Sequence, residues 1–257
     1  MNQDESTKLW DNNAEQWHRL FGENDLNRRD LLDPIILQIL GDVKGKQILD
    51  AGCGDGYLSR KLARLGASIT AVDLSEKMLD FAIEEQKKVP LNICYHHASC
   101  SSLPFLSDST FNAVVTNNVI QDMEDYHGAF IEFSRIIKPG GTYLHITNHP
   151  CFMTPVWGWV KDEKGKRLYK KVDHYFKRGP FLCPWGPRCD MEPTVYWHRT
   201  LSDIVNELIS CGFCITRVIE PEPPEIWKIA HQDRMDGARM PDFLVLVCRR
   251  SADEEGR

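Results

Sequence analysis

The chain has 257 residues, 42% hydrophobic and 26% charged, with a mean hydropathy of -0.38. That composition excludes a disordered or collagen-like chain, and at about 100–200 residues per domain the length holds one large domain or a core with a cap. A formal charge of -6 leaves no electrostatic footprint for nucleic acid or anionic lipid, and no apolar run approaches the roughly 20 residues of a membrane-spanning helix. The opening Met1-Asn2-Gln3-Asp4-Glu5 lacks the basic and apolar regions of a signal peptide, which predicts a cytoplasmic protein. Nine scattered cysteines suit reduced thiols. Cys183, Cys189, Cys211 and Cys214 do not carry the paired short spacings of a zinc site, so no metal is expected.

In chain order, the first 40 or so residues read as helices. From Lys46, short apolar runs alternate with amphipathic stretches, the pattern of a parallel α/β sheet. Gln47–Ala51 is predicted as the first strand, and Tyr57–Leu65 as a helix with Leu58, Leu62 and Leu65 at helical spacing. Ser68–Asp73 gives a second strand, followed by a helix capped by Ser75. Leu91–His96, Asn112–Asn117 and Thr142–Asn148 complete five strands, with a helix over Asp125–Ile137 that Lys138-Pro139-Gly140-Gly141 ends in a turn. The period then breaks from Pro150 to Arg199, a segment rich in aromatics, Pro and Gly. A structureless loop of that length is improbable, so the segment should fold over something. A helix capped by Thr200 or Ser202 follows. Phe213–Glu220 and Phe243–Arg249 form a final antiparallel strand pair, and Ser251–Arg257 a frayed tail.

Asp50-Ala51-Gly52-Cys53-Gly54-Asp55-Gly56 lies where the first strand turns into the first helix. Glycines there permit positive φ and bring backbone N–H groups close to a ligand at the positive end of a helix. The run lacks the G-x-G-x-x-G spacing of dinucleotide sites. Its leading acid would repel a pyrophosphate and suits an ammonium group instead. Asp73 ends the second strand, where an acid accepts bonds from both hydroxyls of a ribose.

With Leu103-Pro104-Phe105, Phe111–Asn118 and Ile137-Lys138-Pro139-Gly140-Gly141 in the same order, these segments resemble the class I S-adenosylmethionine-dependent methyltransferases, particularly the small-molecule, ubiquinone-biosynthesis-like group. The resemblance covers about Lys46 to Pro150. It implies a Rossmann-like seven-stranded, mostly parallel sheet with an antiparallel final strand, S-adenosylmethionine as cofactor and S-adenosylhomocysteine as product. Asp50, Gly52, Cys53 and Gly54 would hold the methionine part, Asp73 the ribose, and Leu74 and Met78 the adenine. Ser99, with Cys100, stands where similar proteins carry an Asp for the adenine amino group, and Asn117 would lie near the sulfonium. Residues 1–45 would form a helical lid containing Trp10 and Trp17, 46–149 and 200–250 the core, 150–199 a cap insertion and 251–257 a tail. Arg28 or Arg29 is the candidate partner of the cofactor carboxylate.

Methyl transfer from a sulfonium is an in-line displacement that depends on alignment and exclusion of water, with a base helping hydroxyl or cationic amine acceptors. His149, after the fifth strand, is the candidate base, against a local bond in the turn fixed by Pro150. Asp122 either orients an acceptor or caps the next helix. Trp10 of the lid and His174, Tyr175, Trp197 and His198 of the insertion are the candidate substrate contacts, and the insertion is expected to cap an apolar or aromatic acceptor, or else to form a dimer interface. The expected activity is methylation of an O, N or C atom of a small, aromatic or amphipathic metabolite by a monomer or homodimer. The competing readings are a nucleic-acid or protein methyltransferase, and a non-methylating protein that binds the cofactor as scaffold or effector.

Overall fold

The computed structural model describes residues 1–23, 25–185, 189–230 and 238–251. Eleven strands follow in chain order among them: β1 Gln47–Ala51, β2 Ser68–Asp73, β3 Cys94–His97, β4 Phe111–Asn117, β5 Ile137–Asn148, β6 Val156–Lys161, β7 Arg167–Asp173, β8 Gly179–Cys183, β9 Thr194–His198, β10 Phe213–Ile219 and β11 Phe243–Arg250. Seven of them make one sheet in the order β3-β2-β1-β4-β5-β11-β10. Leu49 of β1 lies opposite both Thr70 and Val114, in parallel register on each side. β11 runs antiparallel to both β5 and β10, so it is the one reversed strand of this sheet. The chain winds outward from β1 to β3, then returns to β4 on the other side of β1. That reversal opens a crevice at the carboxyl ends of β1 and β4, where open α/β sheets bind ligands.

Seven α-helices accompany the strands: α1 Gln3–Leu20, α2 Asp33–Leu40, α3 Tyr57–Arg64, α4 Glu76–Lys88, α5 Tyr126–Ile136, α6 Leu201–Ser210 and α7 Glu225–Ala230. Successive residues of a strand face opposite sides of the sheet, which divides the core in two. Ile48, Val115, Leu144 and Val245 pack with Ile36, Leu40, Leu58 and Leu62 from α2 and α3. Leu49, Val114, Tyr143 and Leu244 pack on the other face with Phe130, Phe133, Ile204 and Leu208 from α5 and α6. Ser75 caps α4 by accepting from Met78 N–H, and Thr200 with Asp203 makes a capping box on α6.

Three sequence expectations change in detail. The turn at Lys138–Gly141 is not a break, because β5 starts directly at Ile137 and absorbs these residues. Its register against β4 shifts between Phe111 and Ala113, and Gly140 takes φ +72 in the bulge. The third strand begins at Cys94, since Asn92 at φ +55 cannot continue an extended strand. Residues 150–199 form two antiparallel hairpins, β6–β7 and β8–β9. Of the expected tail, residues 252–257 lie outside the described residues.

Helix α1 carries a capping box of Asn2 and Glu5 and lies across α4 and β9. Its inner face joins Ala14 and Trp17 to Met78 and Met191 in a third cluster, flanked by Trp10, Phe21 and Trp185. Trp17 meets Trp10, Phe21 and Trp185 with ring centroids 4.8–5.4 Å apart. A helix that precedes the sheet in sequence is thereby sealed over the strand ends, with the second hairpin against its flank. No described helix is long and apolar enough to cross a membrane.

Candidate active site

Between α1 and the carboxyl ends of β1, β2 and β4 lies a cavity of about 110 Å³ that opens to solvent at its mouth. The turn after β1 forms its floor. Gly52, Gly54 and Gly56 all have positive φ, which a residue with a Cβ adopts only under strain. A Cβ on Gly52 would overlap Val119, and one on Gly56 would run into Tyr95. At Gly54 the nearest atom to such a Cβ is Trp17 Nε1 at 4.0 Å, so this glycine leaves open space beneath the lid. The expectation that the turn offers its N–H groups to a ligand is corrected. Gly52 and Cys53 both donate to the Val72 carbonyl, and Gly54 donates to Asp73 Oδ2 at 2.7 Å. The turn contributes shape, and Asp73 holds the shape in place.

Asp73 lines the cavity with Leu74, Ser75 and Met78. Its other oxygen accepts from Ser75 N–H at 2.9 Å, and burial raises its pKa against the lowering pull of these backbone bonds. Each carboxylate oxygen retains a lone pair for a ligand. Ser99 and Cys100 form the adjoining wall, though Ser99 Oγ also bonds Ser101. Asn117 follows at the end of β4, and Asn118 beside it has φ +59 and a buried Oδ1 with no protein partner.

Asp50 and Cys53, by contrast, do not line the cavity. Asp50 is 2% exposed and accepts from Ser59 Oγ at 2.6 Å, and desolvation pushes its carboxyl up to about 6. Arg28 does line the cavity, with its guanidinium 4.9 Å from the Trp17 ring centre. Of the two arginines flagged in the sequence, Arg29 instead pairs with Asp30.

The lid face adds Gln3, Thr7, Trp10 and Trp17. Gln3 and Thr7 escaped the sequence reading, although 3, 7, 10, 14 and 17 is the spacing of one helical face. Polar bonds fasten this lid. Asp11 accepts from Ser75 Oγ at 2.6 Å, His18 Nδ1 lies 2.8 Å from Asp55, and Asn13 exchanges bonds with the backbone of Glu192.

At the opposite end stand Val119, Asp122 and Met123. Asp122 does not cap α5; Asp125 does, accepting from Gly128 N–H. Burial raises the Asp122 carboxyl well above the ordinary range, Asp73 pushes it further up and Arg199 draws it down. The turn that carries Asp122 is held by Arg199, itself 9% exposed, whose guanidinium donates to the carbonyls of Ile120, Met123 and Glu124 and lies 4.0 Å from the Tyr126 ring centre.

The remaining candidates fall away from the cavity. His149 is 4% exposed; Nε2 meets Glu220 at 2.9 Å and Nδ1 accepts from Cys151 N–H at 3.3 Å. Both ring nitrogens are used locally, so the sequence expectation of a base here loses its geometric support. His174 is an exposed turn residue at φ +59. Tyr175 OH accepts from Leu201 N–H, His198 Nε2 donates to the Tyr175 carbonyl at 2.7 Å, and Trp197 is buried in β9. None of these four side chains lines the cavity, and Tyr175 and His198 meet beside the start of α6. The hairpin acts on the site through Trp185, Met191 and the Arg199 guanidinium.

Comparison with known proteins agrees with this geometry. A family model described as "Methyltransferase domain" matches residues 49–145. An uncharacterized protein of Haemophilus influenzae is 27% identical over 237 residues, 88% of this chain and 90% of that one. A ubiquinone biosynthesis O-methyltransferase of Coxiella burnetii is 30% identical over 164 residues, covering 61% of this chain and 69% of the relative. A crystal structure of an S-adenosylmethionine-dependent methyltransferase from Mesorhizobium loti superposes with a TM-score of 0.73 at 30% identity, covering 84% of this chain and 96% of that one. With the strand order, the glycine turn and Asp73 in place, the chain belongs to the class I S-adenosylmethionine-dependent methyltransferases.

Proposed function

We propose that this enzyme transfers the methyl group of S-adenosylmethionine to a small acceptor enclosed between the strand ends and α1. The observation that carries this reading is the single cavity that runs from Asp73 to Asp122 beneath one helical lid. Asp73 would accept from the ribose hydroxyls, Leu74, Met78, Ser99 and Cys100 would surround the adenine, and Arg28 would meet the carboxylate. Asp50 would act on the ammonium group from below the turn, through water, in keeping with its burial. The cofactor supplies the electrophilic methyl group and a neutral thioether leaving group. The chain's own part is to hold the acceptor in line and keep water out, with Trp10, Trp17 and Trp185 closing the lid side. A site lying beneath a helical lid and a chain charge of -6 favour a small metabolite over a nucleic acid, and we assign the enzyme to the cytoplasm.

Calorimetric titration of the purified protein with S-adenosylmethionine and S-adenosylhomocysteine tests the assignment. Both should bind one site per chain, and Asp73→Ala should weaken both. A folded protein that binds neither would refute the proposed site.

A further inference from the structure

The acceptor end of the cavity has an unusual balance of polar groups. Asp122 lines it, yet among the described residues no Lys, Arg or His stands within ion-pair distance of its carboxylate. Its one side-chain bond is from the amide of neighbouring Gln121, at 3.3 Å, and that amide's oxygen is taken by Thr147. Arg199 acts on Asp122 at longer range, because its guanidinium is spent on three backbone carbonyls. Asn118, also in the lining, has a buried Oδ1 without a protein partner, while its Nδ2 donates to Asn117 Oδ1.

The lid contributes to the same lining the indole of Trp10, a face that attracts cations. Hydrogen bonds fix which end of the cavity this is. The Asp122 carbonyl accepts from Gln3 and Ser6 at the start of α1 and its turn is pinned by Arg199 just after β9, whereas Ser75, beside Asp73, donates to Asp11 farther along α1. Arg28, the one cation among the described lining residues, belongs to the cofactor end, where its field reaches Asp50. Asp122 and Asn118 Oδ1 therefore stand in the lining without a cationic partner among the described residues, and a half-buried carboxylate without a counter-ion is stabilised by a cation that enters.

We propose that the methyl acceptor is a small molecule bearing a protonated amine, recognised by Asp122 and Asn118 Oδ1 against the Trp10 ring. This deepens the methyltransferase reading and rests on it. Amine recognition does not require the amine to be the methylated atom. It requires only a cation at the Asp122 end, held while the reacting atom faces the cofactor.

The test uses three probes of similar size and different charge: tyramine, 4-ethylphenol and 4-hydroxyphenylacetate. Each is titrated calorimetrically into protein saturated with S-adenosylhomocysteine, at a pH where tyramine is cationic. Tyramine should bind at least about tenfold more tightly than either of the others, a margin of the size expected for a desolvated cation with one acid and one indole. Asp122→Asn should reduce that margin to about threefold or less while still binding S-adenosylhomocysteine, which shows that the variant is folded. Equal or tighter binding of the neutral or anionic probe overturns the proposal, and so does failure of tyramine to bind. If Asp122→Asn instead abolishes discrimination between S-adenosylmethionine and its product, which lacks the sulfonium charge, while the probe preference stays, Asp122 faces the sulfonium and the amine assignment is wrong. Failure of the product itself to bind would sink the methyltransferase site as a whole, a result separable from each of these.

Discussion

The two ends of the cavity are made in different ways. At the Asp73 end, most of the wall is β1, β2 and the turn between β1 and α3, within Gln47–Met78, with Ser99 and Cys100 beside it, and its groups are tied by backbone bonds such as Gly54 N–H to Asp73. At the Asp122 end, the wall is the turn after β4 and the first helix, and the turn is pinned from outside by Arg199, almost eighty residues later. A site built within one βα unit inherits its geometry from local backbone preference. A site built from distant segments depends on buried polar links, so single changes there should alter its shape with less effect on the cofactor end.

The largest expected effect is at Gly52. Gly52→Val forces a side chain into Val119 at a left-handed φ and should cost about 3–5 kcal/mol of stability, read by urea denaturation. Gly54→Val, facing open space under Trp17, should cost much less stability yet block product binding, so equal behaviour of the two would erase the distinction between floor and cavity. Next comes Arg199→Met, which removes the guanidinium donor from three carbonyls, of which Ile120 keeps the Met123 N–H. It should lose about 2–4 kcal/mol of stability. Hydrogen exchange should quicken in 119–124 and remain unchanged in 50–56; quickening in both would mean that the two ends are one unit.

Asp50 provides a pH test of the floor. Burial holds its carboxyl near 6 against an ordinary 3.8, so the native state binds the proton more tightly than the unfolded chain does. The stability from this group is complete below about 3.8 and is lost as pH rises through about 6, in all on the order of 2–3 kcal/mol. Asp50→Asn should flatten that segment of the stability-pH curve, and an unaltered curve would mean that the charge is already neutralised by Arg28. Asp73→Ala should weaken product binding by about 1–3 kcal/mol through lost hydroxyl bonds. The smallest change is expected at His149→Ala, about 1 kcal/mol of stability through the bonds to Glu220 and Cys151, with product affinity intact. A large loss of turnover at full cofactor affinity would return His149 to the catalytic set.

Sequence by itself determined the α/β sheet, the glycine turn, Asp73 and the caps Ser75 and Thr200, because each is written in neighbouring residues: hydrophobic period, positive-φ glycine, and side chains that bond their own helix start. It also singled out Asp122 and Trp10, whose place in the cavity came from the resemblance and from position relative to strands. Only the tertiary structure decided which face of α1 covers the crevice, adding Gln3 and Thr7, and that His149, Tyr175 and His198 are spent elsewhere. The same holds for Asn118, whose left-handed backbone marks it, and for Arg199, whose partners lie more than seventy positions upstream. Local signals report how a segment bends and which side it buries. The partner of a buried polar group is chosen by packing, where satisfying every donor and acceptor at once settles which distant segments meet.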